Sequence, residues 1–186
     1  MMRRDVLTAS LAVAGALLLP GGKGGLLSRA YANADDGFVH IVEFDDAGAR
    51  LRVARVAKVV RTDAQWRAQL TPLQFEVARQ RGTERAYQNE YYNLHETGLF
   101  RCICCGNALF SSATKYDSGT GWPSFWAPIA RENVKTSTDS SLGMSRDEVS
   151  CVECDAHLGH VFSDGPPPTH LRYCMDSASL RFIKKA

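Results

Sequence analysis

The sequence predicts a mainly β, antiparallel domain preceded by two short helices and tied together by a structural metal. Three observations carry this. From residue 99 onward, short apolar runs alternate with Gly, Pro, Ser and Asp, the texture of many short strands joined by tight turns. Residues 62–82 instead carry helix start and stop signals. Two Cys-x-x-Cys pairs, Cys102/Cys105 and Cys151/Cys154, have the spacing of metal knuckles.

Taken in order, residues 1–34 read as an export signal. "MMRRDVLTASLAVAGALLLP" has a cationic start and an apolar run from Val6 to Leu19, shorter than the ~20 residues a membrane-spanning helix needs. "AYANADD" then offers an Ala32-x-Ala34 cleavage site, after which the mature chain begins near Asp35. Arg3-Arg4 resembles a twin-arginine signal, and an ordinary secretory signal is the alternative. Either implies an exported, periplasmic protein. The chain carries a formal net charge of +2, and Arg3, Arg4, Lys23 and Arg29 against Asp5 account for it. The remainder is slightly acidic, so nothing points to nucleic acid.

Residues 35–61 form an N-terminal β-rich extension. Two β-prone runs flank Asp45-Asp46-Ala47-Gly48, which suits a hairpin loop. A domain then spans 62–186. Thr62 caps a first helix, with Trp66 and Leu70 on one face. Thr71 caps a second with Pro72 at its first position, and Gly82 is placed to end it. Trp66, Phe75 and Val77 read as scaffold.

The two cysteine pairs supply four thiolates, enough to close a tetrahedron around structural zinc with no open position. Disulfides are the competing reading for an exported chain, and six cysteines allow 15 connectivities. Zinc is favoured because such knuckles make poor purely structural bridges. Cys104, between the first two ligands, is expected to point away as a spare.

The sixth cysteine lies in "LRYCMDSASLRF". If 171–176 is extended, Arg172, Cys174 and Asp176 share one side, and Tyr173 and Met175 the other. Arg172 favours the nucleophilic thiolate, and an ionised Asp176 opposes it. "HLGHVFSDG" adds His157, His160 and Asp164 as proton donors or acceptors, and "GWPSFW" adds an aromatic surface of Trp122, Phe125 and Trp126. Together these look more like a site than core.

"RCICCGNALFSSATKYDSGTGWPSF", "CVECDAHLGHVFSDGPPPTHLRYCMDSASLRF" and "WRAQLTPLQFEVARQRGTE" resemble methionine sulfoxide reductase type B over about Asp63 to Phe182. The resemblance implies twisted antiparallel sheets, with zinc on Cys102, Cys105, Cys151 and Cys154 far from the active site. It implies that Cys174 reduces the R epimer of protein-bound methionine sulfoxide through a sulfenic acid. Trp122, His157, His160, Asp164, Arg172 and Asp176 fall on its substrate-site positions, and Phe125 is taken with Trp122 as substrate-binding. Two departures stand out: Asp176 replaces the usual Asn, and Thr120 stands where many relatives carry a resolving cysteine. A single-cysteine cycle follows, with a small thiol or thioredoxin-like protein as reductant and a monomeric enzyme. A non-catalytic zinc-ribbon module and a zinc hydrolase using His157 and His160 are the alternatives. The first leaves Cys174 unexplained, and the second needs an open metal position.

Overall fold

A computed structural model of the chain describes residues 37–139 and 146–185. The expected export signal lies outside the described residues. The chain opens with the hairpin β1 (Phe38–Phe44) and β2 (Arg50–Ala57), which turns at Asp45–Ala49 with Gly48 at positive φ. The hairpin is anchored through Asn133, which is fully buried. Its side chain accepts from Val42 N–H at 2.7 Å and donates to the Val42 and Ala108 carbonyls. Lys58 pairs with Asp155, and Val59 N–H donates to the Glu153 carbonyl, so the extension packs beside the second cysteine knuckle.

Helices α1 (Asp63–Gln69) and α2 (Pro72–Gln80) follow from their caps. Thr62 with Gln65, and Thr71 with Gln74, form full capping boxes, each stabilising by about 1 kcal/mol. The left-handed residue that ends α2 is Arg81 (φ 57°), one position before the glycine expected there. Both helices lay Trp66, Phe75 and Ala78 onto the core.

The rest is antiparallel sheet. A three-stranded sheet has the order β11-β3-β4, from Leu180–Lys184, Gly98–Cys102 and Ala108–Ser111. A six-stranded sheet has the order β5-β6-β10-β9-β8-β7. Its strands are β5 (Lys115–Tyr116), β6 (Ser124–Phe125), β7 (Val134–Asp139), β8 (Arg146–Cys151), β9 (His157–Phe162) and β10 (Arg172–Met175). Aromatics join the two sheets. Phe125 stacks on Phe110 at 4.5 Å between ring centres and meets Phe100 edge-on at 5.0 Å. Such pairs add about 0.5–1.5 kcal/mol each beyond area burial. Among the described residues, no helix is long and apolar enough to cross a membrane.

Candidate active site and metal centre

The metal centre is built by two turns that repeat one another. Cys102 N–H donates to the Asn107 carbonyl, and Gly106 N–H returns to the Cys102 carbonyl. Cys151 N–H donates to the Ala156 carbonyl, and Asp155 N–H returns to the Cys151 carbonyl. In each turn the residue after the second cysteine, Gly106 or Asp155, is at positive φ. The loop therefore reverses tightly and aims two sulfurs the same way.

The four sulfurs of Cys102, Cys105, Cys151 and Cys154 lie within 4.8 Å of one another, with two pairs at 3.6 Å. Zn–S bonds of ~2.3 Å at the tetrahedral angle put sulfurs about 3.8 Å apart. The cluster therefore fits zinc, with its four sulfurs filling the coordination sphere. Asn107 Nδ2 lies 3.6 Å from the Cys151 sulfur and can donate to a thiolate there. Thiols this close share protons unequally: hydrogen bonds from its neighbours push Cys102 well up and pull Cys154 down. A divalent cation removes that conflict by holding all four as thiolates.

Cys104 lies outside the four-sulfur group but is buried near it. The opposing influences of Cys102 and Cys154, together with burial, push its thiol up to about 12.

Cys174 lies elsewhere, in β10, between β9 and β6. It stands opposite His160 on one side and Ser124 on the other. His160 in turn stands opposite Glu148 of β8. Opposed residues share a face, so Glu148, His160, Cys174 and Ser124 form one row across the sheet. Gly159, at φ 145°, permits this close pairing, since a Cβ there would meet the Cys174 carbonyl oxygen at 2.2 Å.

A bulge completes the constellation. The β8–β9 register slips between Val149 and Ser150, so β9 carries one extra residue. In a regular strand His157 and His160 would face opposite ways. With the bulge their rings meet edge-on at 5.4 Å.

A cleft of about 130 Å³ opens over this row, lined by Trp122, His160, Phe162, Cys174, Asp176 and Thr83 among others. Trp122 is fixed by its indole N–H, which donates to the Glu84 carbonyl at 3.2 Å. Arg172 lies over Phe162 with its guanidinium 4.3 Å from the ring centre. Asp164 does not line the cleft. It holds Arg172 from the solvent side through two 2.9 Å hydrogen bonds, and that pairing keeps its carboxyl below the usual range.

Phe125 is not at the cleft either. It is fully buried between Phe100 and Phe110, a core position rather than the substrate contact expected of it. Trp126 also lies outside the cleft lining, with its N–H bonded to the Thr114 carbonyl.

The thiol and its acids are tuned mainly by burial. Burial pushes Cys174 up, against lowering by the Thr120 hydroxyl at 3.9 Å and by Arg172; Asp176 adds to the rise. The resting group is therefore a thiol poised for deprotonation rather than a stable thiolate. Asp176 is pushed up to about 7, first by burial and then by the carboxylate of Glu84. His157 is 3% exposed, and burial pulls it below the ordinary imidazole range despite Glu148 at 2.8 Å. It stands behind the cleft as a neutral ring, while His160 and Asp176 reach it.

Three contributors escaped the sequence reading. Phe162 and Thr83 line the cleft. Glu84 accepts from the N–H groups of Ser177 and Ala178, which seats the turn just after Asp176. Phe162 sits in the quoted "HLGHVF" run and was readable from period two, whereas nothing local marks Thr83 or Glu84.

A partly buried thiol, a carboxyl pushed up toward neutral pH and an aromatic wall, with four further thiols gathered as a metal site, are the marks of a cysteine-based oxidoreductase with a structural metal. Comparison with known proteins narrows this. The SelR domain model matches residues 70–184. The peptide methionine sulfoxide reductase MsrB of Hahella chejuensis is 56% identical over 125 residues, covering 67% of this chain and 90% of that protein. Its namesake from Thiobacillus denitrificans is 55% identical over 125 residues, 67% of this chain and 95% of that protein. A chloroplastic peptide methionine sulfoxide reductase B1 of Oryza sativa is 55% identical over 124 residues, covering 66% of this chain and 58% of that protein. The chain belongs to the methionine sulfoxide reductase B family.

Proposed function

We propose that this protein reduces peptide-bound methionine R-sulfoxide to methionine, with Cys174 as the nucleophile. The observation that carries the reading is Cys174 in the floor of a small cleft, flanked by Trp122 for the S-methyl group and by His160 and Asp176 for the oxygen. Cys174 loses its proton and attacks the sulfoxide sulfur while an acid protonates the oxygen. The S–O bond of the substrate breaks, and the oxygen ends on Cys174. The balanced step is thiol plus sulfoxide to sulfenic acid plus thioether. Two equivalents of an external thiol then return Cys174 to the thiol and release water and a disulfide.

The recycling reductant is a small thiol or a thioredoxin-like protein. Two observations support a single-cysteine cycle: Thr120, not a cysteine, is the near neighbour of Cys174, and Cys104 is packed with the metal ligands. The protein works as an exported, periplasmic monomer. Support for export comes from the sequence of residues 1–34 with its paired arginines. Fusion of residues 1–34 to a reporter that functions only after folded export tests this, and a reporter retained in the cytoplasm refutes it.

A zinc hydrolase has no support. Among the described residues, the four-cysteine group is the cluster able to hold a metal, and His157 Nδ1 is already engaged by Glu148. The function is tested by replacing Cys174 with Ser. R-sulfoxide reduction disappears while zinc content and fold persist; retained turnover refutes the role of Cys174.

A further inference from the structure

One buried atom near the site is unexplained. His157 Nε2 is shielded from solvent and has no hydrogen-bond partner. Asp176 Oδ2 lies 3.8 Å from it. Buried nitrogens are almost always paired, and exceptions call for a reason.

The other ring nitrogen is fully committed. Nδ1 lies 2.8 Å from Glu148 Oε1, and Glu148 is itself only 4% exposed. Arg81 Nε approaches the same oxygen at 3.2 Å, and Ser137 Oγ reaches Oε2 at 3.5 Å. An oxygen already facing a guanidinium is an acceptor, so Nδ1 carries the ring proton. A neutral ring then presents a bare lone pair at Nε2.

We propose that Glu148 is a positioning residue: it fixes His157 with Nδ1 as donor, so that the Nε2 lone pair faces Asp176 and holds the proton of its carboxyl beside Cys174. This rests on the reading of the cleft as a sulfoxide site and deepens it. The 3.8 Å gap is longer than a hydrogen bond, and catalytic contacts commonly tighten when substrate closes the site.

The groups facing this pair have been placed. Asp176 meets Glu84, whose backbone N–H donates to Asp176 Oδ1 at 3.2 Å, and it acts on Cys174. His157 meets Glu148, His160, Arg81 and Asp176. Burial and Glu84 both favour the protonated carboxyl, in the same direction as the lone pair. The usual Asn of the family donates a hydrogen bond from this position but cannot release a proton. Asp176 can do both. During turnover the carboxyl gives its proton to the sulfoxide oxygen and recovers one from the Cys174 thiol, so the pair ends as it began.

Nitrogen-15 NMR of the histidines in the zinc-loaded wild type needs no variant. The proposal requires His157 as the Nδ1–H tautomer at neutral pH, and an Nε2–H tautomer overturns it. The second measurement compares pH–rate profiles of wild type, Glu148→Gln, Asp176→Asn and the double variant. Loss of the Glu148 charge weakens Nε2 as an acceptor, so the alkaline limb moves down by about one pH unit with little change in KM. In the Asp176→Asn background the same substitution shifts no limb. An alkaline limb unmoved by Glu148→Gln, or moved equally in both backgrounds, overturns the proposal. Wild-type turnover of R-sulfoxide in the same series keeps the two readings separable. Its absence refutes the function, while its presence with an unmoved limb refutes only the role of Glu148.

Discussion

The molecule handles sulfur in two opposite ways. At the knuckles, four thiols converge within 4.8 Å, and their mutual conflict is resolved by a metal that closes the site. In β10, a single thiol stands alone in a row of polar side chains, open to a cleft of about 130 Å³. Both regions are largely buried, so burial does not separate them. Company does. Sulfur beside sulfur makes a cage for a cation and removes nucleophilicity. Sulfur beside a hydroxyl, a guanidinium and a carboxyl pushed up toward neutral pH keeps its reactivity in reserve.

The largest way to break this contrast is to open the cage. Replacing Cys151 by Ser, or stripping the metal with a chelator, removes binding energy that is folding energy, on the order of 10 kcal/mol for structural zinc. Loss of the sheet signal in circular dichroism and of one zinc per chain is the expected outcome. A folded, zinc-free variant would falsify the structural role. Next, Cys174→Ser lowers R-sulfoxide turnover by more than about a thousandfold while thermal unfolding stays cooperative.

Asp176 gives the third effect. Its carboxyl, pushed up to about 7, lies above the ordinary ~3.9, so its contribution to stability is complete below ~3.9 and is lost as pH rises from there through 7. Asp176→Asn therefore stabilises the fold relative to wild type by on the order of 2–4 kcal/mol at pH 9 and by a clearly smaller amount at pH 5, part-way through the window, read by urea denaturation. The same variant removes the alkaline limb of the rate profile. A profile identical to wild type takes Asp176 out of the mechanism.

How much of this contrast can be read from the chain depends on how local its causes are. The capping boxes at Thr62 and Thr71 and the hairpin at Asp45–Gly48 involve neighbours in sequence, so the residues specify them directly. The knuckles are legible for the same reason, since each turn closes within six residues. The alternation that puts Arg172, Cys174 and Asp176 on one side is a property of one strand.

The illegible parts are relations between strands. The β9 bulge that turns His157 toward His160 exists only as a mismatch with β8. The Glu148–His157 contact depends on that mismatch, and "RDEVSC" alone reads as an ordinary strand. Phe125 reads as a site aromatic because it shares "GWPSFW" with Trp122, yet its ring falls on the face that meets Phe100 and Phe110. Arg81 takes the left-handed position at the end of α2 ahead of Gly82, from where its side chain reaches Glu148.

Two smaller substitutions sharpen the comparison. Asp164→Ala releases Arg172 from its bidentate partner and lowers kcat/KM by about tenfold, with the loss largest for short substrates. An unchanged kcat/KM shows that Arg172 holds its place over Phe162 without Asp164. Cys104→Ser leaves turnover with dithiothreitol within about twofold of wild type, because Cys104 is neither one of the four caged sulfurs nor the neighbour of Cys174, a place Thr120 takes. A Cys104–Cys174 disulfide detected by mass spectrometry after one turnover contradicts that placement.

The most direct measurement offers both epimers of a methionine sulfoxide peptide to the zinc-loaded protein with dithiothreitol and follows each by chromatography. The account predicts that the R epimer is consumed to completion and the S epimer remains. An R epimer left intact while zinc stays bound contradicts it.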